Sequence, residues 1–259
     1  MAKANVVESR EPRILYIDIE TAPNLGYTWG KYEQNVIEFE RETTLLGFAY
    51  CWNGDRKIHS LMLCDDPNYT PYQLDDAFLV NKAYELFDEA DIVIAHNGDE
   101  FDIKKLNARF LQWGLPPYSP FKSIDTKKVL KKYFKLNSNK LQDASKFLGL
   151  GEKVRHEGFE MWLGCIAGNK RYWKQMRTYN VQDVALLREL YLYVRPWIKN
   201  HPNLGVIAGQ VNVCPACLGE KLQRRGFQST STGRQQRYQC QACGSWSHSV
   251  QSERITTIK

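Results

Sequence analysis

The run from Arg13 to Thr21 restricts the fold more than any other part of the chain. Read as a strand, its alternation sends Leu15, Ile17 and Ile19 to one face and Tyr16, Asp18 and Glu20 to the other. An otherwise apolar strand therefore ends in two neighbouring carboxylates whose repulsion is unfavourable unless something positive lies between them. A divalent cation is the simplest such group, since Mg²⁺ and Mn²⁺ take oxygen ligands, keep open water positions and share them with substrate phosphate. Two acids at a strand end can equally be solvated, so the decision rests with the rest of the chain.

Thr43–Trp52 reads as a second strand, Asn53-Gly54-Asp55 as a turn and Lys57–Cys64 as the returning strand, which makes an antiparallel meander with the first. The stretch between the first two strands, with Tyr27, Trp29 and Tyr32, shows no period that assigns it. Helical spacing runs over Gln73–Glu89, followed by a short Ile/Val strand at Asp91–His96 and a helix over Asp102–Trp113. Lys122–Thr126 reads as a fifth strand, and either Asp125 or Thr126 suits the cap of a helix over Lys127–Lys135. A short helix follows at Leu141–Leu148, then two at Lys170–Asn180 and Val181–Trp197, which also fit one bent helix. A strand reached through a helix lies parallel to its sheet neighbour, so the expected class is α/β with a mixed sheet and helices on both faces.

Further acids lie where such a sheet places its chemistry. Asp99, Glu100 and Asp102 follow the Asp91–His96 strand, at the kind of strand-to-helix junction that carries α/β sites, and spacing does not choose among them. Tyr179 and Asp183 are four apart and share a helix face, either as a phenol orienting a water beside a carboxylate or as a core pair.

In order and spacing these pieces resemble the DEDD exonucleases of the ribonuclease H-like superfamily, most closely the proofreading exonuclease domains of family B DNA polymerases. The resemblance covers roughly residues 13 to 195. It matches D-x-E to Asp18 and Glu20, N-G-D-x-F-D to Asn97–Asp102 with its acid on Asp102, and Y-x-x-x-D to Tyr179 and Asp183. Thr178 stands where a sister subfamily carries histidine, so the resemblance is to the tyrosine branch. It implies a ribonuclease H-like five-stranded sheet and 3′→5′ exonuclease activity on single-stranded ends, by a mechanism with two Mg²⁺ or Mn²⁺ ions about 4 Å apart. In that scheme Asp18 bridges the ions, Glu20 and Asp183 complete the water-activating site, Asp102 serves the second ion and Tyr179 orients the water. Asn97 resembles a residue near the terminal nucleotide. DNA is the expected substrate. The competing readings are an RNA-processing exoribonuclease and an accessory nucleic-acid-binding protein in which hydrolysis is vestigial.

Charge is segregated along the chain. Asp65–Asp102 carries a net of −10, Lys104–Lys140 a net of +9 and the piece from Gly205 onward a net of +5. Such blocks favour a polyanionic partner, with Lys104, Lys105, Lys127, Lys128, Lys131 and Lys132 as expected phosphate contacts. Trp113, Tyr118 and Phe121 are available either for stacking on bases or for the core.

Near the carboxyl end, Cys214-x-x-Cys217 and Cys240-x-x-Cys243 form two paired knuckles, a pattern suited to one structural Zn²⁺ in a closed tetrahedral site. This piece looks like a zinc ribbon, and Pro202 with the glycines that follow places the expected division at 1–204 and 205–259. Its Lys221, Arg224, Arg225, Arg234, Arg237, Tyr238 and Trp246 favour nucleic acid over protein docking. His156 and His248 read as polar surface residues rather than ligands. With no apolar run of membrane-spanning length, no signal-like start and the remaining cysteines scattered, a cytoplasmic protein without a membrane partner is expected, with a replication or repair protein as a candidate associate.

Overall fold

β1 (Ile14–Thr21) is buried along most of its length on both faces, because it becomes the middle strand of a five-stranded sheet. A small hairpin of β2 (Leu25–Tyr27) and β3 (Glu38–Arg41) follows, then β4 (Leu45–Trp52) and β5 (His59–Met62) complete the antiparallel meander. The chain continues through α1 (Ala77–Glu89), β6 (Ile92–Ala95), α2 (Asp102–Gln112), β7 (Lys122–Asp125), α3 (Thr126–Tyr133), α4 (Leu141–Phe147), α5 (Phe159–Ile166) and α6 (Lys170–Val194). The sheet order is β5-β4-β1-β6-β7, with β6 and β7 parallel to β1 and the other two antiparallel to it. The expected mixed α/β sheet is therefore present. This computed structural model describes residues 10–32, 35–151 and 157–255, so His156 lies outside the described residues.

Several elements differ from the sequence reading for local reasons. The returning strand is shorter than Lys57–Cys64, because the chain after Met62 tightens into a single turn whose Asp65 carboxylate accepts the Met62 N–H at 2.8 Å. The first helix begins at Ala77 rather than Gln73, since Asp76 is drawn into the interior as the partner of Arg109. Asp125, not Thr126, caps α3, its Oδ1 accepting from Lys127 N at 2.9 Å and Lys128 N at 3.2 Å. The two helices read at the end of the domain are one continuous helix, α6.

The core gathers Leu15, Ile17, Ile19, Phe48, Val93 and their neighbours between the sheet and α1, α2 and α6. Tyr118 and Phe121 are stacked on each other, 5.1 Å apart, and each meets Phe87 edge-on, so they pack against this core and are not base-stacking surfaces. Trp113 is likewise engaged, its Nε1 donating to Asp76 Oδ1 at 2.9 Å.

Asp76 is fully buried and ties three elements together. It accepts from Arg109 Nε at 2.8 Å, Arg109 Nη2 at 2.5 Å, the Leu45 N–H at 2.8 Å and Trp113. At the open edge of the sheet, Arg177 donates to the Ser60 carbonyl of β5 at 3.0 Å while its other arm is held by Asp65 at 2.6 and 2.8 Å.

The chain divides into two compact units at Leu190/Tyr191, within α6 and before the division read from the proline and glycine signals. The later unit keeps the end of α6 because Tyr191 is buried there and its hydroxyl bonds His201 Nε2 at 2.8 Å. After α7 (Leu204–Ala208), this unit builds β8 (Leu222–Ser229), β9 (Gly233–Cys240), β10 (Trp246–His248) and β11 (Glu253–Arg254) into one antiparallel sheet around β9. No helix among the described residues is long and apolar enough to cross a membrane.

Candidate active site

Parallel pairing of β1 with β6 brings the Asp18–Glu20 end of β1 beside the β6 exit toward α2. The junction after β6 turns sharply. Asn97 sits in the left-handed region at φ +70°, and a Cβ on Gly98 would lie 2.4 Å from that of Ala95, so the turn closes only with glycine there. The Asn97 N–H is held by Asp125 Oδ1 at 3.0 Å, and its side-chain oxygen accepts from Lys127 Nζ at 3.1 Å.

This turn sorts the three acids that spacing left equivalent. Asp102, at the first position of α2, is 2% exposed and accepts the Ile19 N–H at 3.1 Å, which fixes it against β1 between Asp18 and Glu20. Asp99 and Glu100 face outward and pair with Lys128 at 2.9 and 3.2 Å, and Glu100 also with Lys104 at 2.5 Å. Of the remaining basic residues, Lys105 donates to Thr43 Oγ1 at 3.2 Å, Lys132 lies over the Tyr133 ring at 5.2 Å and Lys131 is exposed. Lys127 thus lies nearest the acids through Asn97.

From the other face, α6 lays Tyr179, Asn180 and Asp183 against the same strand end. Asn180 Nδ2 donates to Asp18 Oδ2 at 2.7 Å and to the Asp18 carbonyl at 3.0 Å. Burial pushes the Tyr179 phenol well above its ordinary range, and the charges of Asp183, Glu20 and Asp18 push the same way, so it stays protonated and donates to Asp183. Trp162 of α5 meets its ring edge-on at 6.3 Å. Burial raises Asp102 to about 7, against the N–H bond from Ile19 that favours its charged form, with Asp125 adding to the rise. Glu20, Asp102 and Asp183 are all buried, at 9%, 2% and 3% exposure.

The structure thus brings together Asp18, Glu20, Asp102, Tyr179 and Asp183 from one strand and two helices, with Asn97 and Lys127 at the rim. Buried carboxylates that raise one another's proton affinity form a donor set suited to a hard divalent cation. They converge more loosely than a single-ion cage, because among the described residues the set of ligand atoms lying within 4.8 Å of one another is made of cysteines. Asn180 and Asp125 were not visible as site neighbours in the sequence. The one available signal was that Asn180 stands three residues before Asp183 and so shares part of its helix face.

That cysteine set is Cys214, Cys217, Cys240 and Cys243 in the second unit. The Cys214–Cys243 and Cys217–Cys240 sulfurs are 3.7 and 3.6 Å apart and none is in a disulfide. A tetrahedron with metal–sulfur bonds of about 2.3 Å has edges of about 3.8 Å, so the spacing fits one four-coordinate Zn²⁺ with no open position. The cluster fits a zinc ribbon. Arg237 lies over the Trp246 ring at 5.7 Å and Arg234 over Phe227 at 4.1 Å, while His248 is exposed on β10.

Comparison with known proteins agrees with this architecture. The chain is 38% identical to a DNA polymerase III PolC-type from Ureaplasma parvum serovar 3 over 23% of its own length and 5% of the polymerase. The family B DNA polymerase from the hyperthermophilic archaeon Pyrobaculum calidifontis shares the fold at a TM-score of 0.50 and 12% identity, over 86% of this chain and 32% of that one. The chain thus spans only a small part of either polymerase. The RNase_H superfamily model RNase_H_2 matches residues 15–195, which takes in β1 through α6 and every acid of the site. With that match over most of its length, the chain belongs to the RNase H superfamily.

Proposed function

We propose that the protein is a metal-dependent 3′→5′ exonuclease that removes nucleotides from single-stranded ends, with DNA as its preferred substrate. The observation that carries this reading is the convergence of Asp18, Glu20, Asp102 and Asp183 on one strand end with a protonated phenol, Tyr179, donating to Asp183. When bound, two divalent ions would supply an activated water and charge neutralisation at the leaving oxygen. Asp18, Glu20 and Asp183 would hold the ion on the water side and Asp102 the other. Tyr179 orients the attacking water through its hydroxyl, and the buried acids keep bulk solvent from the reacting phosphate. Asn97 and Lys127 receive the terminal nucleotide, the ammonium on phosphate and the amide beside it. The preference for DNA is supported by the printed identity of both relatives as DNA polymerases.

The basic sheet of the second unit is assigned to the same strand, and the four cysteines to holding that sheet in shape around zinc. Digestion of end-labelled single- and double-stranded DNA and RNA with Mg²⁺ or Mn²⁺ tests the reading. Stepwise shortening from the 3′ end by the wild-type protein, absent in folded Asp18→Ala, is expected. Near-full activity in Asp18→Ala, or shortening from the 5′ end, would overturn it.

A further inference from the structure

We propose that Asn180 is a positioning residue for Asp18, an inference that rests on the exonuclease reading above. Asn180 follows Tyr179 on α6 and is fully buried. Its side-chain amide donates one hydrogen bond to the Asp18 carboxylate at 2.7 Å and another to the Asp18 backbone carbonyl at 3.0 Å. Both amide hydrogens are thereby used on one residue, so the carboxylate is fixed relative to the strand that carries it. The orientation of the amide follows from its partners, since turned over its oxygen would face two acceptors.

Its oxygen, Oδ1, is buried and has no hydrogen-bond partner among the described residues. Buried acceptors are normally satisfied, and a water ordered beside the carboxylates would complete this one. Asn180 therefore joins the helix that carries Tyr179 and Asp183 to the acid at the centre of the site. It aims Asp18 before any ion arrives. Groups that orient a metal's carboxylate ligands typically change affinity or activity by 10–100-fold when removed.

Mn²⁺ titration of the zinc-loaded full chain, followed by electron paramagnetic resonance, reads this directly. Asn180→Ala is expected to weaken Mn²⁺ binding about 10-fold or more and to lower kcat at saturating Mn²⁺ with KM for a DNA end little changed. Asn180→Ser, polar but too short to reach both Asp18 atoms, should act in the same direction and stands in if the alanine variant does not fold by circular dichroism. A purely structural role would lower Tm and leave Mn²⁺ affinity and kcat where they are. A folded variant that binds Mn²⁺ as the wild type does overturns the proposal. A wild-type protein that neither binds Mn²⁺ nor cuts DNA sinks the exonuclease reading first, a result distinct from a silent Asn180→Ala.

Discussion

Asp102 makes the pH dependence of the metal-free protein calculable. Its carboxyl is 2% exposed and is raised from 3.8 to about 7, chiefly by burial. The folded state therefore binds more protons than the unfolded chain between about pH 4 and 7. Stability from this group is complete below that window and is lost as pH rises through it. At about 1.4 kcal/mol per pH unit the whole window is worth about 4 kcal/mol, and the part between pH 5 and 8 about 3 kcal/mol. Asp102→Asn does not titrate and serves as the reference. Urea unfolding followed by tryptophan fluorescence at pH 5 and pH 8 measures the difference, in Mg²⁺-free buffer without a chelator that would also strip the cysteine cluster. Wild type should lose about 2–3 kcal/mol relative to the variant across that interval, and added Mg²⁺ should recover more stability at pH 8 than at pH 5. Curves for the two proteins that run parallel within about 0.5 kcal/mol would refute the burial argument.

Other outcomes follow from the same geometry. Asp76→Ala strands the Arg109 guanidinium in the interior with three elements losing their common acceptor, a loss of about 3–5 kcal/mol; a shift in urea midpoint worth under about 1 kcal/mol would show that solvent reaches the arginine. Cys217→Ser opens the four-sulfur site, so zinc bound per chain, measured by a colorimetric chelator after acid release, should fall sharply from one equivalent, and undiminished zinc would contradict tetrahedral ligation. Tyr179→Phe keeps the ring against Trp162 and removes only the hydroxyl; its exonuclease rate should drop about 10–100-fold, with substrate KM unchanged, whereas an unchanged rate would remove the phenol from the mechanism.

Much of this was legible because the constraints were local or periodic. Alternation in Arg13–Glu20 fixed the strand and the side on which its acids lie, and two short cysteine spacings fixed a four-sulfur knot without any tertiary information. The choice of Asp102 over Asp99 and Glu100 was not legible from spacing. It depends on a left-handed Asn97 and on where α2 begins, and only the resemblance pointed to it in advance. Tyr118 and Phe121 were ambiguous because an aromatic reads alike whether it faces a base or Phe87. The β2–β3 hairpin escaped because Leu25, Tyr27 and Phe39 are all exposed, leaving no buried face to write a period into the sequence. Asn180 escaped for another reason: its partner lies 162 residues away, and nothing near it in the chain records that contact.

Arg177 gives the sheet a boundary as well as a brace. By occupying the outward carbonyl of Ser60, and being itself held by Asp65, it takes the acceptor that an intruding extended segment would need first. The border strand is thereby closed to recruitment by neighbouring chains. A nuclease whose ligands are threaded strands must keep such segments at its acids, and here the hydrogen-bonding rim of the β5 side is already spoken for.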